Sequence, residues 1–343
     1  MAPEDAKLLA AIESGVPLVR EPYAHLAAGL GLPEDDLLAR LARLRGPEGK
    51  VREISGVFDA AALGYEQTLV AFAVADDAAD EAGRLVASHP GVSHCYLRAA
   101  AVNLWFTLAV SPGSALGLDR TVDLLAGRCG ATRRLMLPAE RRYKLHVRFA
   151  GDGPAAPSPE RAGPRDAARP PTLTYEQRRA VRALQRDLPG RRDPFAGPAA
   201  AEGLDANMLL VHASDLLTAG QMRRYAAVLR HRAAGARANV LVAWPVAPER
   251  ADAAGAALAR RPEVSHCIRR PARPGWPYAV YTMVHGPDEA SCRRAIAEMK
   301  ATVPTGEPPA ELRTLREYAK RRVRLFTGDE AAWEAEAGRT GPA

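Results

Sequence analysis

The stretch Val92-Ser93-His94-Cys95 recurs, residue for residue, as Val264-Ser265-His266-Cys267, an interval of 172 positions. A few residues further on, Phe106-Thr107 matches Tyr281-Thr282 at an interval of 175, which indicates a short insertion in the second copy. The further matches at the first interval are Pro17 with Pro189, Pro22-Tyr23 with Pro194-Phe195, Gly31-Leu32 with Gly203-Leu204, and Leu69–Phe72 with Leu241–Trp244. A collinear series of this kind indicates an internal duplication.

Each copy shows the same predicted order of elements. Apolar residues spaced three or four apart predict three short helices in the first copy, with breaks at Gly15–Pro17 and Gly31–Pro33. Residues 49–59 are then predicted to form a two-stranded wing, which makes the unit a winged helix-turn-helix. The elements predicted after it follow the order βαββαβ of the ferredoxin-like split motif. We therefore predict an α+β fold of two tandem copies, each with a winged helix-turn-helix and a ferredoxin-like unit.

The predicted boundaries follow from the repeat. Residues 151–172 are rich in Pro, Ala and Gly and almost free of large apolar residues, so they are predicted to be a linker. The predicted units are a first half at 1–150 (winged helix 5–62, ferredoxin-like 65–150), a second half at 173–330 (winged helix 173–234, ferredoxin-like 237–330), and a tail at 331–343.

Composition limits the class of protein. The chain has 343 residues, of which 47% are hydrophobic and 25% charged, and a net charge of +7 that favours anionic partners. No apolar stretch long enough to span a membrane and no signal-peptide pattern are present, so we expect a cytoplasmic protein that does not bind membranes. Four scattered cysteines without a CxxC pair predict reduced thiols and no zinc site. Cys95 and Cys267 are expected to pack in the core.

Histidines and basic residues concentrate outside the helix-turn-helix motifs. Two adjacent predicted strands carry His266, Arg269 and His285, so their side chains are expected to converge on a ligand that lies across the sheet. Repeated arginines beside a titratable imidazole suit a substrate with several carboxylates. The residues singled out are Arg223, Arg224, Tyr225, Arg230, His231, Arg232, His266, Arg269, Arg270 and His285 in the second copy, and Arg52, His94, Tyr96, Arg98 and Trp105 in the first.

A helix-turn-helix followed by a ferredoxin-like unit resembles the Lrp/AsnC transcription regulators, so DNA binding is the main alternative function. A recognition helix needs cationic residues near phosphates, yet Leu204–Gln221 contains no Lys or Arg. The matching helix of the first copy opens with Glu34, Asp35 and Asp36, although three arginines follow. We therefore expect no DNA binding, with the first copy alone left open.

Several long segments are similar to the siroheme decarboxylases, Lrp-like enzymes that usually pair two related subunits. The similarity covers both copies and rests on KVREISGVFDAAALGY (50–65), GVSHCYLR (91–98), NLWFTL (103–108), RRYAAVLRHRAAGARANVLVAW (223–244), PEVSHCIRRPARPGWPYAVYTMVHG (262–286) and LREYAKRRVRLF (315–326). The resemblance implies removal of carbon dioxide from the C12 and C18 acetate groups of siroheme, giving 12,18-didecarboxysiroheme for haem d1 or alternative haem biosynthesis. It also implies no added cofactor, because the iron belongs to the substrate, and an intramolecular pseudo-dimer that leaves a homodimer open.

The resemblance implies essential histidines, and the candidates in this chain are His231, His266 and His285. A histidine near its ordinary pKa of about 6.5 can donate the proton that replaces the lost carboxylate, or it can ligate the iron of the substrate. The first copy has Phe58-Asp59 where the second has Arg230-His231, and Val110 where the second has His285. We therefore predict that the second copy carries catalysis. A non-catalytic tetrapyrrole sensor is a further alternative.

Overall fold

A computed structural model of the chain describes residues 2–47, 49–145, 172–230, 238–303 and 305–339. His231, Arg232 and nearly all of the predicted linker at 151–172 lie outside the described residues. Within the described ranges, the predicted α+β fold with two copies of one plan is confirmed.

Each half begins with three helices: α1 (Pro3–Ser14), α2 (Pro22–Leu30) and α3 (Glu34–Arg45) in the first, and α6 (Tyr175–Leu184), α7 (Ala196–Ala201) and α8 (Ala206–Thr218) in the second. Local signals set their ends. Thr174 and Gln177 form a capping box at the start of α6, and Gly31 takes a left-handed conformation (φ 67°) after α2. Both helical units contribute to one hydrophobic core, in which Tyr23 and Phe195 are completely buried.

The expected two-stranded wing is wrong. Residues Val51–Phe58 form one strand, β1, which pairs antiparallel with β7 (Met222–Leu229) of the other half. The segment contains no turn that would reverse it, so its backbone hydrogen bonds are made with the matching strand of the second copy. A two-stranded ribbon shared by the two halves therefore takes the place of two separate wings.

The ferredoxin-like units merge into one sheet of nine strands in the order β5-β2-β4-β3-β11-β8-β10-β9-β6. The first unit comprises β2 (Glu66–Ala73), α4 (Ala79–Ser88), β3 (Val92–Arg98), β4 (Leu104–Val110), α5 (Gly117–Arg128) and β5 (Arg133–Leu137), followed by β6 (Arg141–Leu145). The second comprises β8 (Ala238–Trp244), a 3-10 turn (Pro248–Arg250), α9 (Ala251–Ala259), β9 (Val264–Arg269), β10 (Val280–Gly286), α10 (Glu289–Thr302) and β11 (Ala310–Lys320), and the helix α11 (Asp329–Arg339) closes the described chain.

Strand exchange joins the two units. The start of β11 pairs with β8 of its own half and the remainder pairs with β3 of the first half, while β6 of the first half pairs with β9 of the second. Equivalent tyrosines fix both crossings: Tyr318 donates a hydrogen bond to Asp80 at 2.6 Å, and Tyr143 donates one to Asp252. Each half therefore supplies a strand without which the other half's sheet would end in an unpaired edge.

Three hydrophobic layers surround this sheet. One lies between the first unit and its helices and one between the second unit and its helices, and these layers bury Cys95 and Cys267, respectively. The third lies on the opposite face of the strands and contains residues of both halves, including Trp105 and Trp276. All four cysteines are buried and unpaired. None of the described helices combines the length and apolar character that a transmembrane segment requires.

Candidate active site

Two predicted site residues of the second half are brought together by a serine. Ser265 Oγ lies 2.8 Å from His266 Nδ1 and 2.8 Å from His285 Nε2. The register of β9 against β10 shifts between Met283 and Val284, so Ser265 has no opposite partner in the ladder. This bulge lets the buried Ser265 side chain reach both rings.

Both histidines lie on the sheet face that turns away from the outer helices. On β9, Cys267 packs in the helix-facing layer, so the alternation of side chains puts His266 on the opposite face. On β10, Met283 packs against the shared inner layer, and His285, two residues further, has the same orientation. The apolar inner layer therefore gives way to a polar cluster at the end of the strands where β10 finishes.

The crossing strand β11 connects His94 of the first half electrostatically to His285. Lys320, the last residue of β11, is the Cα partner of His94 on β3. Burial of the ring by surrounding protein lowers the pKa of His94, the Lys320 ammonium lowers it further, and Glu317 opposes the shift. His285 responds in the same way, since burial lowers its pKa first and Lys320 second. One cation therefore acts on a histidine of each half.

Two of the predicted arginines, one on β7 and one directly after it, form contacts between the two halves. Arg230 donates hydrogen bonds to the carbonyls of Arg45, Gly46, Pro47 and Gly49, which lie at and beyond the C-terminal end of α3. Arg223 forms an ion pair with the buried Asp59 at 3.1 Å. Both side chains therefore already have structural partners at the interface between the halves.

Arg269 and Arg270 lie at the opposite end of the strands from His285. Arg269 pairs with Asp252 and with Glu140, each at 3.2 Å. Arg270 donates to the Leu137 carbonyl and lies over the Tyr281 ring, and burial lowers its pKa to about 10. Both arginines line a cavity of about 630 Å³ between the loops that follow β8 and β9. They are separate from the histidine cluster.

The remaining predicted residues divide into buried and exposed groups. Tyr225 and Trp105 are core residues, with exposed fractions of 4% and 1%, so neither presents a surface to a ligand. Arg98 is buried, donates to the Leu312 carbonyl at 2.8 Å and lies 5.0 Å from the Tyr96 ring centre. Arg52 and Arg224 are exposed on the two-stranded ribbon.

Cys95 and Cys267 have the environment expected of packing residues. Burial raises the pKa of each thiol to about 12, so both are protonated near neutral pH and are poor nucleophiles. Among the described residues, no group of three or more His, Cys, Asp and Glu side chains is placed to bind a metal ion.

Sequence reasoning missed Ser265 and Lys320 as site residues. Ser265 stands next to His266 in the repeated tetrapeptide, but only the bulge directs its hydroxyl to both rings. Lys320 is 35 residues from His285 in sequence, and only the strand crossing brings its charge to the cluster. The repeat gives no signal for it, because the equivalent position of the first copy is Leu145.

The arginines on α3, one of the two helices in the recognition position, lie close to carboxylates. On α3, Arg40 pairs with Asp5 and Asp36, and Arg45 pairs with Asp187 at 2.8 Å. On α8, the exposed large residues include Met208 and Val211. Among the described residues of these two helices, Arg43 is the arginine with a largely exposed side chain, and it lies 3.7 Å from Asp5, so they present little positive charge to DNA phosphates.

Comparison with known proteins gives consistent matches over the whole chain. A family model described as the siroheme decarboxylase NirDL-like HTH domain matches residues 5–49, and one described as the AsnC-like ligand binding domain matches residues 62–144 and 233–319. A siroheme decarboxylase of Hydrogenobacter thermophilus is 33% identical over 98% of this chain and 99% of its own length.

Solved structures and a shorter relative agree with this result. The crystal structure of the siroheme decarboxylase NirDL in complex with an iron-uroporphyrin III analogue has a TM-score of 0.82 and 29% identity, over 98% of this chain and 99% of that one. A siroheme decarboxylase alpha subunit of Oleidesulfovibrio alaskensis is 41% identical over 44% of this chain and 91% of its own length. That relative corresponds in size to one half of the chain.

Proposed function

The chain belongs to the siroheme decarboxylase family, and we propose that it removes carbon dioxide from the C12 and C18 acetate groups of siroheme to give 12,18-didecarboxysiroheme. Support comes from relatives matched over nearly the full length and from the Ser265-linked pair of histidines on the inward sheet face. The histidine pair is the observation that supports the proposed mechanism, because one ring can donate a proton and be reprotonated through Ser265.

The reaction requires one proton for each acetate. When the bond between the methylene carbon and the carboxylate breaks, the electron pair stays on the methylene carbon and spreads into the attached pyrrole. A proton added to that carbon gives the methyl group, so each step consumes one proton and releases one carbon dioxide. We propose that His266 and His285 supply these protons as general acids, which contribute about 10²–10⁴-fold in comparable enzymes.

The charge of the site suits this role. Burial and Lys320 lower the pKa of His285, which makes its imidazolium form a stronger acid than an ordinary histidine. A carboxylate of the substrate brought near Lys320 would offset that charge and favour uptake of a proton by the ring. Siroheme carries several carboxylates, so a site that binds it needs positive charge. We propose siroheme as the ligand of this site, and its iron belongs to the substrate.

The two halves act as an intramolecular pseudo-dimer in this proposal. Strand exchange gives the second half its outer strand β6 and gives the first half β11, which also delivers Lys320. The second half supplies the histidine pair, and the first supplies His94. His231 and Arg232 stay proposed site residues on the sequence resemblance.

The decisive experiment is anaerobic incubation of the purified protein with siroheme, followed by mass spectrometry of the tetrapyrrole. We expect loss of two carbon dioxide units, abolished in His266→Ala and His285→Ala and retained in His25→Ala, which alters an exposed histidine on α2. Binding without any mass change would favour a sensor. Binding to DNA at physiological salt together with unchanged siroheme would favour a regulator.

A further inference from the structure

Strand β11 begins in the sheet of the second half and places its last residue, Lys320, at the sheet edge of the first half. Its start, Ala310, is opposite Ala243 on β8, whereas its end, Lys320, is opposite His94 on β3. The residue before the end, Ala319, packs in the hydrophobic layer between the first unit and its helices. Because adjacent strand residues face opposite sides, Lys320 points toward the face that carries the histidines.

Lys320 has no carboxylate partner among the described residues, whereas three arginines close to it in sequence have structural partners. Arg316 pairs with Asp80, Arg321 donates to the carbonyls of Ala87, His89 and Val92, and Arg322 donates to Glu53, Ser55 and Gly56. Lys320 is exposed, and its charge acts on His94 and His285. A lysine in this position is available to a ligand that reaches the cluster.

The other crossing strand shows that the fold does not need this lysine. Arg141 and Tyr143 of β6 contact Asp252, just as Arg316 and Tyr318 of β11 contact Asp80. Extending that correspondence by two residues aligns Lys320 with Leu145, the Cα partner of His266. The cation is therefore present at one crossing and absent from the equivalent position at the other.

We propose that Lys320 binds a carboxylate of the tetrapyrrole substrate between His94 and His285, so that one binding site is built from both halves. This inference rests on the proposed function and deepens it, because it identifies a residue that holds the substrate. An ammonium ion is suited to a carboxylate that must be gripped without the fixed geometry of a guanidinium. The neighbouring histidines gain from the contact, since the bound anion offsets the lysine charge that disfavours their protonation.

Three variants test this proposal. Lys320→Met keeps the aliphatic stem without the charge, Lys320→Arg keeps the charge, and Lys7→Met removes an exposed lysine on α1 as a matched control. The dissociation constant for siroheme is measured by anaerobic absorbance titration, and KM and kcat are measured by mass spectrometry. The thermal unfolding midpoint shows that each variant is folded.

We expect Lys320→Met to raise the dissociation constant and KM by about 10–100-fold, as for loss of a hydrogen bond to a charged group. In Lys320→Arg both constants should stay within about threefold of the wild-type values, because the positive charge in the site is kept. Lys7→Met should leave both constants unchanged, because Lys7 lies outside the site. If the wild-type protein decarboxylates siroheme but Lys320→Met shows unchanged binding and KM, the role of Lys320 is overturned while the proposed function stands. A fall in kcat with unchanged binding would also overturn it, whereas an inactive wild type would overturn the proposed function.

Discussion

Ser265 Oγ lies 2.8 Å from His285 Nε2, across two adjacent strands. The same hydroxyl lies 2.8 Å from His266 Nδ1. A hydroxyl has one proton, so it donates to at most one ring, with the Met283 carbonyl at 3.4 Å as the competing acceptor, and it accepts from the other. The serine therefore links the two rings, and a proton that leaves one of them can be replaced through its hydroxyl.

Removing that hydroxyl should slow turnover without abolishing it. Ser265→Ala is expected to lower kcat by about 10–100-fold, less than either histidine variant, because both rings stay but the path between them is cut. Ser93→Ala is the matched control, since Ser93 Oγ lies 3.0 Å from His94 Nδ1 and Val110 stands where the second half has His285. Equal losses of kcat in both variants would contradict the relay.

The pKa of His285 should rise when the charge of Lys320 is removed. Lys320 lowers that pKa because two positive charges repel, so Lys320→Met reverses this part of the shift while burial persists. In the free protein, nuclear magnetic resonance titration of the His285 ring should move to higher pH in Lys320→Met and stay in place in Lys320→Arg. A His285 titration that does not respond to Lys320→Met would show that the two groups are not coupled.

Two helix glycines are required by the crossing strands. A Cβ at Gly83 would overlap the Tyr318 ring, and one at Gly255 would overlap the Tyr143 ring. Gly83→Ala and Gly255→Ala should each lower the free energy of unfolding by about 1–3 kcal/mol, because a packed ring must move.

The control for these substitutions is a glycine whose replacement by alanine should raise the free energy of unfolding. Gly127 lies within α5 and no atom lies within 4 Å of its added Cβ, so Gly127→Ala should raise the free energy of unfolding by up to about 1 kcal/mol through helix propensity. Denaturant unfolding measures all three variants. Similar stabilisation by Gly83→Ala would show that the strand crossing is not tightly packed.

His89 should make the protein less stable in mild acid. The residue is fully buried against Trp333, and burial lowers its pKa to about 4 from 6.5. The unfolded chain therefore binds more protons between these values, and stability falls as the pH decreases from about 6.5 to 4, by a total of about 3 kcal/mol.

A non-titrating substitute tests this dependence. His89→Asn retains an acceptor for the Gly91 N–H, which now donates to His89 Nδ1 at 3.0 Å. We expect the variant to lose less stability than the wild type over this pH range, whatever its stability at neutral pH. His25→Asn, at an exposed position, should follow the wild type. Parallel curves for His89→Asn and wild type would exclude His89 as the source.

Much of the fold was predictable because the secondary structure follows from local sequence patterns, and the same patterns occur in both copies. Helical periodicity and alternating strands recur in each copy, and the predicted order βαββαβ is present twice. The wing prediction failed because the partners of β1 are 164 to 178 residues away in sequence, from the Phe58–Met222 pair to the Val51–Leu229 pair, so no local pattern identifies them. The pairing of strands so far apart in sequence depends on which strand faces become buried when the two halves pack.

The duplication, the two repeated plans and the histidine-bearing strands can be recognised in the amino-acid sequence, since they depend on residue identity and on spacing along the chain. The exchange of β6 and β11 between the halves, the link from His266 to His285 through Ser265, and the pairing of Lys320 with His94 are visible only in the folded protein. Pairing at a sheet edge, contacts at a strand bulge and electrostatic interactions all act between residues that are near in space and distant in sequence. Such distances exist only after the two halves have packed.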